Sequence, residues 1–385
     1  MKLKDFLDKK PLFYREIDYE RMPNAYNSIK RHFNIPKTVH IVGTNAKGST
    51  GRFLASLLLS RGVSVGHYSS PHVFSFNERI WINGRDVDND TLEKYHLKLQ
   101  NLLHVNYLDS LSYFEYTTLL AMLIFQDSCE YVVLEAGLGG ERDATNVFPK
   151  DLSIITPVGF DHQEFLGENI EEIATTKINS IYKKALISKQ NFKEVLEIAN
   201  KIAKKKRACL YEISDVLKGN EKDKIMDIVK KKDLPDFQKE NLLLAFAAFR
   251  LLGFDGMIND KTPLYTMHGR CQKISENIIC DVGHNILAAK VVKSCFSDKK
   301  VILVYNSFKD KNYKAILKEL CDIIESVEIL DIKSEREMAK EEIEKYLLSL
   351  GLKYREFNSI DSQKQYLVFG SFLVVEKFIK DFFER

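Results

Sequence analysis

Short apolar runs and helical stripes alternate along most of this chain. Residues 38–43, TVHIVG, form a mostly apolar run of strand length closed by a glycine, which reads as a buried strand. Residues 50–62, TGRFLASLLLSRG, place apolar side chains at helical spacing and end on a glycine after the last turn, so a helix is expected there. Strand, glycine-containing loop and helix thus follow in order. TTLLAMLIFQD (117–127) predicts a second helix, YVVLEAGLGG (131–140) a strand entering a glycine turn, and LSIITPVG (152–159) another strand. QKENLLLAFAAFRLLG (238–253) is a long apolar-faced helix ending at Gly253. After HGRCQKI (268–274) the alternation restarts with NIICDVG, KVILVYNSF, SVEILDI and YLVFGSFLVVEKFIKDFF. Such a rhythm belongs to parallel sheets with crossover helices. The expected fold class is α/β: a large domain with a mostly parallel sheet over residues 1–268, then a smaller Rossmann-like α/β domain over 269–385. No internal repeat or low-complexity linker interrupts it.

Composition narrows the function. With 385 residues, 45% hydrophobic and 29% charged, the chain can bury a sizeable core and divide into two or three domains. A net charge of +3 supplies no overall field for nucleic acid or a membrane surface. The basic runs KIAKKKRA (201–208) and KKKD (230–233) lie in polar stretches and read as solvated helix faces. Six cysteines (Cys129, Cys209, Cys271, Cys280, Cys295, Cys321) form no C-x-x-C pair or zinc spacing, and most have apolar neighbours, so reduced, buried thiols are expected. The charged start MKLKDFLDKKPLFYREIDYERM has no apolar core of signal-peptide length, and no apolar run reaches about 18 residues. A cytoplasmic protein is expected.

The candidate chemistry starts at HIVGTNAKGST, residues 40–50. It is close to the phosphate-binding pattern G-x-x-x-x-G-K-[ST], but Lys47 precedes Gly48 instead of following it. Backbone N–H groups in a tight loop and in the first turn of the next helix favour an anion, and Lys47 can place its ammonium on terminal phosphates. Ser49 or Thr50 can donate to a phosphate or reach Mg²⁺. A nucleoside triphosphate is the expected ligand.

The order of letters in GTNAKGST resembles the G-T-N-G-K-G-S loop of folylpolyglutamate synthases and dihydrofolate synthases, a branch of the Mur ligase superfamily. Ala46 stands where that loop has its third glycine, so the loop is expected to hold an L-residue conformation there. The resemblance continues in order through YSSPHVFSFNERIWINGRDV (68–87), YFEYTTLLAML (113–123), EAGLGGERDATNVF (135–148), DHQEFLGENIEEIATTK (161–177), FQKEN (237–241), HGR (268–270), DVGHN (281–285) and SFKDKN (307–312). It implies a Mur-ligase-like ATP-binding domain with a P-loop, followed by the smaller domain.

It also implies a set of site residues. Thr44, Asn45, Ala46, Lys47, Gly48, Ser49, Thr50, Asn241, Arg270, Asp281 and His284 match positions that bind ATP. Ser70, Glu135 and His162 match magnesium ligands, and Lys177 matches a lysine whose carbamate ligates a second magnesium. Lys47, His162 and Lys177 are the catalytic candidates; Phe114, Glu115, Asp143, Ala144 and Thr145 are the candidates for the pterin substrate. Independently of the resemblance, Glu135 at the end of an apolar strand is costly unless it meets a cation. A capping role for His162, an ordinary surface position for Lys177 and a core role for Tyr113 and Phe114 are the alternatives. The chain departs from the family at HGR, where His268 replaces proline, at DVGHN, at Lys177-Ile178-Asn179-Ser180, and at Gly139-Gly140-Glu141-Arg142-Asp143-Ala144-Thr145-Asn146, where the arginine is displaced by one place.

The implied activity is ATP-dependent ligation. Phosphoryl transfer to the carboxylate of dihydropteroate, or to the γ-carboxylate of a folate, gives an acyl phosphate that the amine of L-glutamate attacks. ATP is the co-substrate and Mg²⁺ the cofactor, with a monovalent cation as an optional addition. The partners are small molecules, without nucleic acid or membrane, and a monomer is expected. A cell-wall Mur ligase would carry a UDP-sugar domain ahead of the loop, for which 42 residues are too few. Another Mur-ligase-like amino-acid ligase and a nucleotide-dependent regulatory protein are the remaining alternatives.

Overall fold

The apolar run at 38–43 becomes the strand β1 (Lys37–Val42), buried from Thr38 onward. The computed structural model describes residues 1–11, 18–296, 300–334 and 337–382. β2 (Val65–Tyr68), β3 (Ile80–Ile82), β4 (Arg85–Asp86), β5 (Tyr131–Glu135), β6 (Leu152–Ile155), β7 (Lys184–Ile187) and β8 (Cys209–Glu212) join it in an eight-stranded sheet of order β4-β3-β2-β5-β1-β6-β7-β8. Six of these strands run parallel, and β3 and β4 add an antiparallel edge. Continuous burial of β1, β5 and β6 follows from helices on both faces, as parallel sheets require.

On one face the helix Lys47–Leu59 packs Phe53, Leu54, Leu57 and Leu58 against Phe246 and Phe249 of the helix Gln238–Leu251. The helix Tyr113–Gln126 buries Leu119, Leu120 and Leu123 in a second cluster with Val132 and Leu134 of β5. Two helix starts differ from the sequence pattern. The first begins at Lys47 instead of Thr50 and ends at Leu59, because the loop before it directs the polar residues Lys47 to Ser49 into the first turn. The second begins at Tyr113, four residues early, because the Ser112 side chain caps it.

A second sheet contains β9 (Gln272–Ser275), β10 (Ile278–Asp281), β11 (Val301–Tyr305), β12 (Ile324–Ile329), β13 (Lys353–Glu356) and β14 (Tyr366–Phe369), in the order β13-β12-β11-β14-β10-β9. All but β9 are parallel. Its own core gathers Leu303, Leu317, Leu320, Val327, Leu347, Leu367 and Phe369. The last helix is Phe372–Phe382; Phe383, expected in it, lies outside the described residues.

By contacts the chain forms two units. The first comprises Met1–Gly159, Gln163–Leu234 and Gln238–Tyr265; the second comprises Phe160–His162, Pro235–Phe237 and Thr266–Arg385. The cysteines depart from expectation: Cys271 and Cys280 are buried, but Cys129, Cys295 and Cys321 are half-buried and Cys209 is exposed. Cys209 opens β8, an edge strand, where one side of the sheet meets water.

Candidate functional site

Loops at the carboxyl ends of parallel strands are the usual ligand-binding places of an α/β sheet, and the first unit gathers its candidates there. β1 lies between β5 and β6, and the chain leaves β1 through Gly43 to Ala46. Gly43 has φ 148, and a Cβ on it would fall 1.9 Å from Thr156 Oγ1, so only glycine fits. Ala46 holds φ 69 and ψ −4 in the left-handed region. This overturns the expected L-residue conformation: the reversal from strand to helix imposes the glycine-like backbone, at a strain of about 1 kcal/mol.

The helix then starts with Lys47, Gly48 and Ser49, whose amides have no earlier turn to bond, before Thr50 N closes the first turn on Ala46 O at 2.9 Å. Thr50 Oγ1 is buried and has no hydrogen-bond partner among the described residues. Lys47 Nζ donates to the carbonyls of Gly43 (3.3 Å) and Thr44 (3.2 Å) and lies 3.8 Å from Glu135 Oε1. Glu135 closes β5 opposite Ile41, with only 4% of its side chain exposed. Ser70, just past β2, donates its backbone N–H to Glu135 Oε2 at 3.3 Å. Lys177, on the helix Ile170–Ile178, is buried and donates Nζ to Gly43 O at 3.1 Å, so it is not a surface lysine. Two ammonium groups therefore share one loop carbonyl beside a single buried carboxylate. That balance suits an anion at the helix start.

The remaining candidates of this unit lie in their own hydrogen-bond networks. Asn241 is buried on the helix Gln238–Leu251 and donates to Gln238 Oε1 at 2.9 Å. Phe114 is half-buried and stacks on Tyr68 at 5.7 Å, with the turn at Gly137 against its ring. Glu115 accepts from Ser112 N (2.7 Å) and from Arg21 Nε (2.9 Å), so its carboxylate serves the start of its own helix. Asp143 accepts from Leu138 N, Thr145 N and Thr145 Oγ1. Burial pushes its carboxyl up, against the pull of those bonds. Ala144 and Thr145 are buried in a short 3₁₀ turn, and Thr145 Oγ1 meets His40 Nε2 at 2.8 Å.

In the second unit Asp281 closes β10 and accepts from Cys271 N (2.8 Å) and Gly283 N (2.7 Å). Burial pushes its carboxyl up, opposed by the Arg270 charge. Arg270 lies over the Phe372 ring at 5.4 Å. His162 has φ 51 and approaches Asp161 Oδ1 at 3.9 Å, and His284 approaches Asp161 Oδ2 at 3.4 Å. Asp161 also accepts from Lys311 Nζ at 2.7 Å and Asn285 Nδ2 at 3.1 Å. Burial alone would raise its carboxyl; the His284 hydrogen bond and the charges of His284, His162 and Lys311 outweigh it and hold the group well below the usual range. Asp161, His162 and His284 present ligand atoms within 4.8 Å of one another. The Lys311 ammonium already neutralises the carboxylate, so this trio is an ion-paired hub more than a metal nest. Asp161 and Lys311 are not among the sequence candidates, although both lie in the family-like segments DHQEF and SFKDKN, where a charged residue beside His162 or Asn312 is the available signal.

No protein-family model matches the chain. The curated dihydrofolate synthase/folylpolyglutamate synthase of Buchnera aphidicola subsp. Baizongia pistaciae is 31% identical, over 94% of this chain and 92% of its own length. The protein of the same description from Escherichia coli is 28% identical over 81% of this chain and 77% of its own. Among solved structures, Helicobacter pylori folylpolyglutamate synthetase matches with a TM-score of 0.81 at 39% identity, covering 98% of this chain and 97% of that one. An Escherichia coli relative solved in complex with DHPP and ADP has the same α/β fold, with a TM-score of 0.80 at 23% identity over 98% of this chain and 96% of its own.

Proposed function

Because the chain belongs to the dihydrofolate synthase/folylpolyglutamate synthase family, we propose that it is an ATP-dependent ligase joining L-glutamate to dihydropteroate, to the γ-carboxylate of a folate, or to both. The observation that carries this reading is the convergence of Lys47 and Lys177 on Gly43 O beside the buried Glu135. A carboxylate and an amine rest in water as an unreactive salt, because hydroxide is a poor leaving group. Phosphorylation by ATP converts that oxygen into a good leaving group, and the amine of L-glutamate then displaces phosphate.

The residues of this chain supply charge and position for those steps. Lys47 neutralises charge on the transferring phosphoryl group, and the leading amides of its helix hold the phosphate oxygens. Thr44 to Thr50 and Asn241 are assigned to ATP, as are Arg270, Asp281 and His284. Ser70, Glu135, His162 and Lys177 are assigned to a divalent cation such as Mg²⁺, for which Glu135 is a hard oxygen donor and Lys177 would serve only as its carbamate, in place of the ammonium that bonds Gly43 O. That ion, when bound, supplies positive charge to phosphate oxygens. A monovalent cation is a further addition to test. Phe114, Asp143, Ala144 and Thr145 are assigned to the pterin side, and Glu115 acts there through the helix it caps.

Among the described residues no helix is long and apolar enough to cross a membrane. The reading places a monomeric enzyme in the cytoplasm, with small molecules as its partners. The test supplies purified protein with ATP, Mg²⁺ and L-glutamate, and offers dihydropteroate and tetrahydrofolate in separate reactions. ADP release that requires L-glutamate and one or both pterins is expected. ATP binding without glutamate-dependent turnover would turn the reading to a regulatory protein.

A further inference from the structure

The six cysteines form no motif in the sequence, yet the second unit brings two of them together across 24 positions. Cys271 Sγ lies 3.1 Å from Cys295 Sγ, and both thiols are free. Cys271 is buried, holds φ 49 and follows Arg270 directly. Cys295 caps the carboxyl end of the helix Ile286–Ser294 and is half-buried, which makes it the more exposed of the two residues. The S–H of Cys271 points to Cys295. That donated bond holds the Cys295 thiol below its ordinary range, against burial, and raises Cys271 together with burial. A more exposed thiol with a lowered pKa beside a buried one is the arrangement of an attacking and a resolving thiol.

We propose that Cys271 and Cys295 are a reversible oxidation site that takes a low-molecular-weight disulfide, and that the bond they form slows the enzyme through the Arg270 loop. The Cys295 thiolate attacks one sulfur of the reagent, a mixed disulfide forms and one thiolate leaves. Cys271 then gives up its proton and attacks the Cys295 sulfur, forming the internal disulfide and expelling the second thiolate. Two protein thiols are oxidised, one disulfide is reduced to two thiols, and the two protons pass to those thiols.

The consequence for activity follows from the residues on either side of Cys271. A disulfide is about 2.05 Å long, so closing it draws the sulfurs together by about 1 Å. Cys271 N is bonded to Asp281 Oδ2, and Gly269 O accepts from Val282 N at 2.9 Å, so the pull reaches both Arg270 and Asp281. A displacement of about 1 Å in a positioning group can cost on the order of 10²-fold in rate. This effect rests on the ligase reading, whereas formation of the bond does not.

The experiment incubates the full chain with oxidised glutathione, alkylates the remaining thiols, maps cross-linked peptides by mass spectrometry and measures glutamate-dependent ADP release. A Cys271–Cys295 cross-link is expected, with at least a tenfold fall in turnover that dithiothreitol restores. Cys295→Ser, with Cys295→Ala as a second variant, should form no such cross-link and keep its turnover in oxidised glutathione. Wild-type protein that stays reduced, or stops at a glutathione adduct, overturns the site. A complete cross-link with unchanged turnover overturns its regulatory effect. If the reduced protein does not ligate, the ligase reading fails and with it that regulatory effect, while the cross-link still decides the site.

Discussion

Lys47 and Lys177 place two positive charges on one carbonyl, and a single residue can test each. Lys47→Ala should lower glutamate-dependent ADP release by at least 10²-fold, because it withdraws the charge facing the transferred phosphoryl group. Its circular dichroism and melting temperature should stay near the parent's, and near-normal turnover in a folded variant would remove Lys47 from the chemistry. Lys177 is buried against Gly43 O, and if its carbamate is the working form, Lys177→Ala should be inactive alone and partly rescued by short carboxylic acids. Full unrescued activity would make this lysine structural. Lys150 tests electrostatics beside the Asp143 turn, away from the phosphate loop. Burial, with the nearby Lys206 charge, lowers its amine from 10.5 to about 7, against the pull of Asp143. Between about pH 7 and 10.5 the unfolded chain carries the proton and the folded chain does not, so this amine makes stability rise with pH across that window. Below it both states are protonated and the burial cost is felt in full. The stability of wild type relative to Lys150→Met, read from urea midpoints, should therefore climb between pH 7 and 10; a flat difference would refute the depressed amine.

At the scale of elements, apolar spacing located the helices but not where they begin. Lys47, Gly48 and Ser49 carry no apolar signal, so apolar spacing starts the phosphate-loop helix at Thr50, whereas the backbone of Ala46 sets its start. The helix Tyr113–Gln126 had a readable signal in SYFE, residues 112–115, an S-x-x-E capping box. There Ser112 accepts from Glu115 N while Glu115 accepts from Ser112 N and pairs with Arg21. Ser112→Ala should cost about 1 kcal/mol in chemical denaturation, with KM for the pterin unchanged. A rise in KM without loss of stability would move this helix start from scaffold to substrate site.

At the scale of the whole molecule, the chain's single tryptophan, Trp81, lies in the core of the first unit, whereas Asp161 works in the second. Asp161→Asn leaves the buried Lys311 without its nearest carboxylate, a loss on the order of 3 kcal/mol. Far-UV ellipticity should be lost at lower denaturant in this variant while the midpoint of Trp81 fluorescence holds; equal shifts of both probes would show one cooperative unit. The sequence by itself determined the succession of strands, loops and helices, the phosphate loop with Lys47, and the placing of Glu135 at a strand end. Those are local matters, in which strand length, helical period and glycine position are written within a few consecutive residues. Only the tertiary structure decided that β1 lies between β5 and β6, which puts Glu135 beside Lys47 and Lys177 beside Gly43. It also decided the left-handed backbone of Ala46, the joining of Asp161 to His284 and Lys311, and the meeting of Cys271 with Cys295. Strand order and packing bring such partners together from positions 24 to 150 residues apart, and nothing in the local pattern of either partner encodes the other.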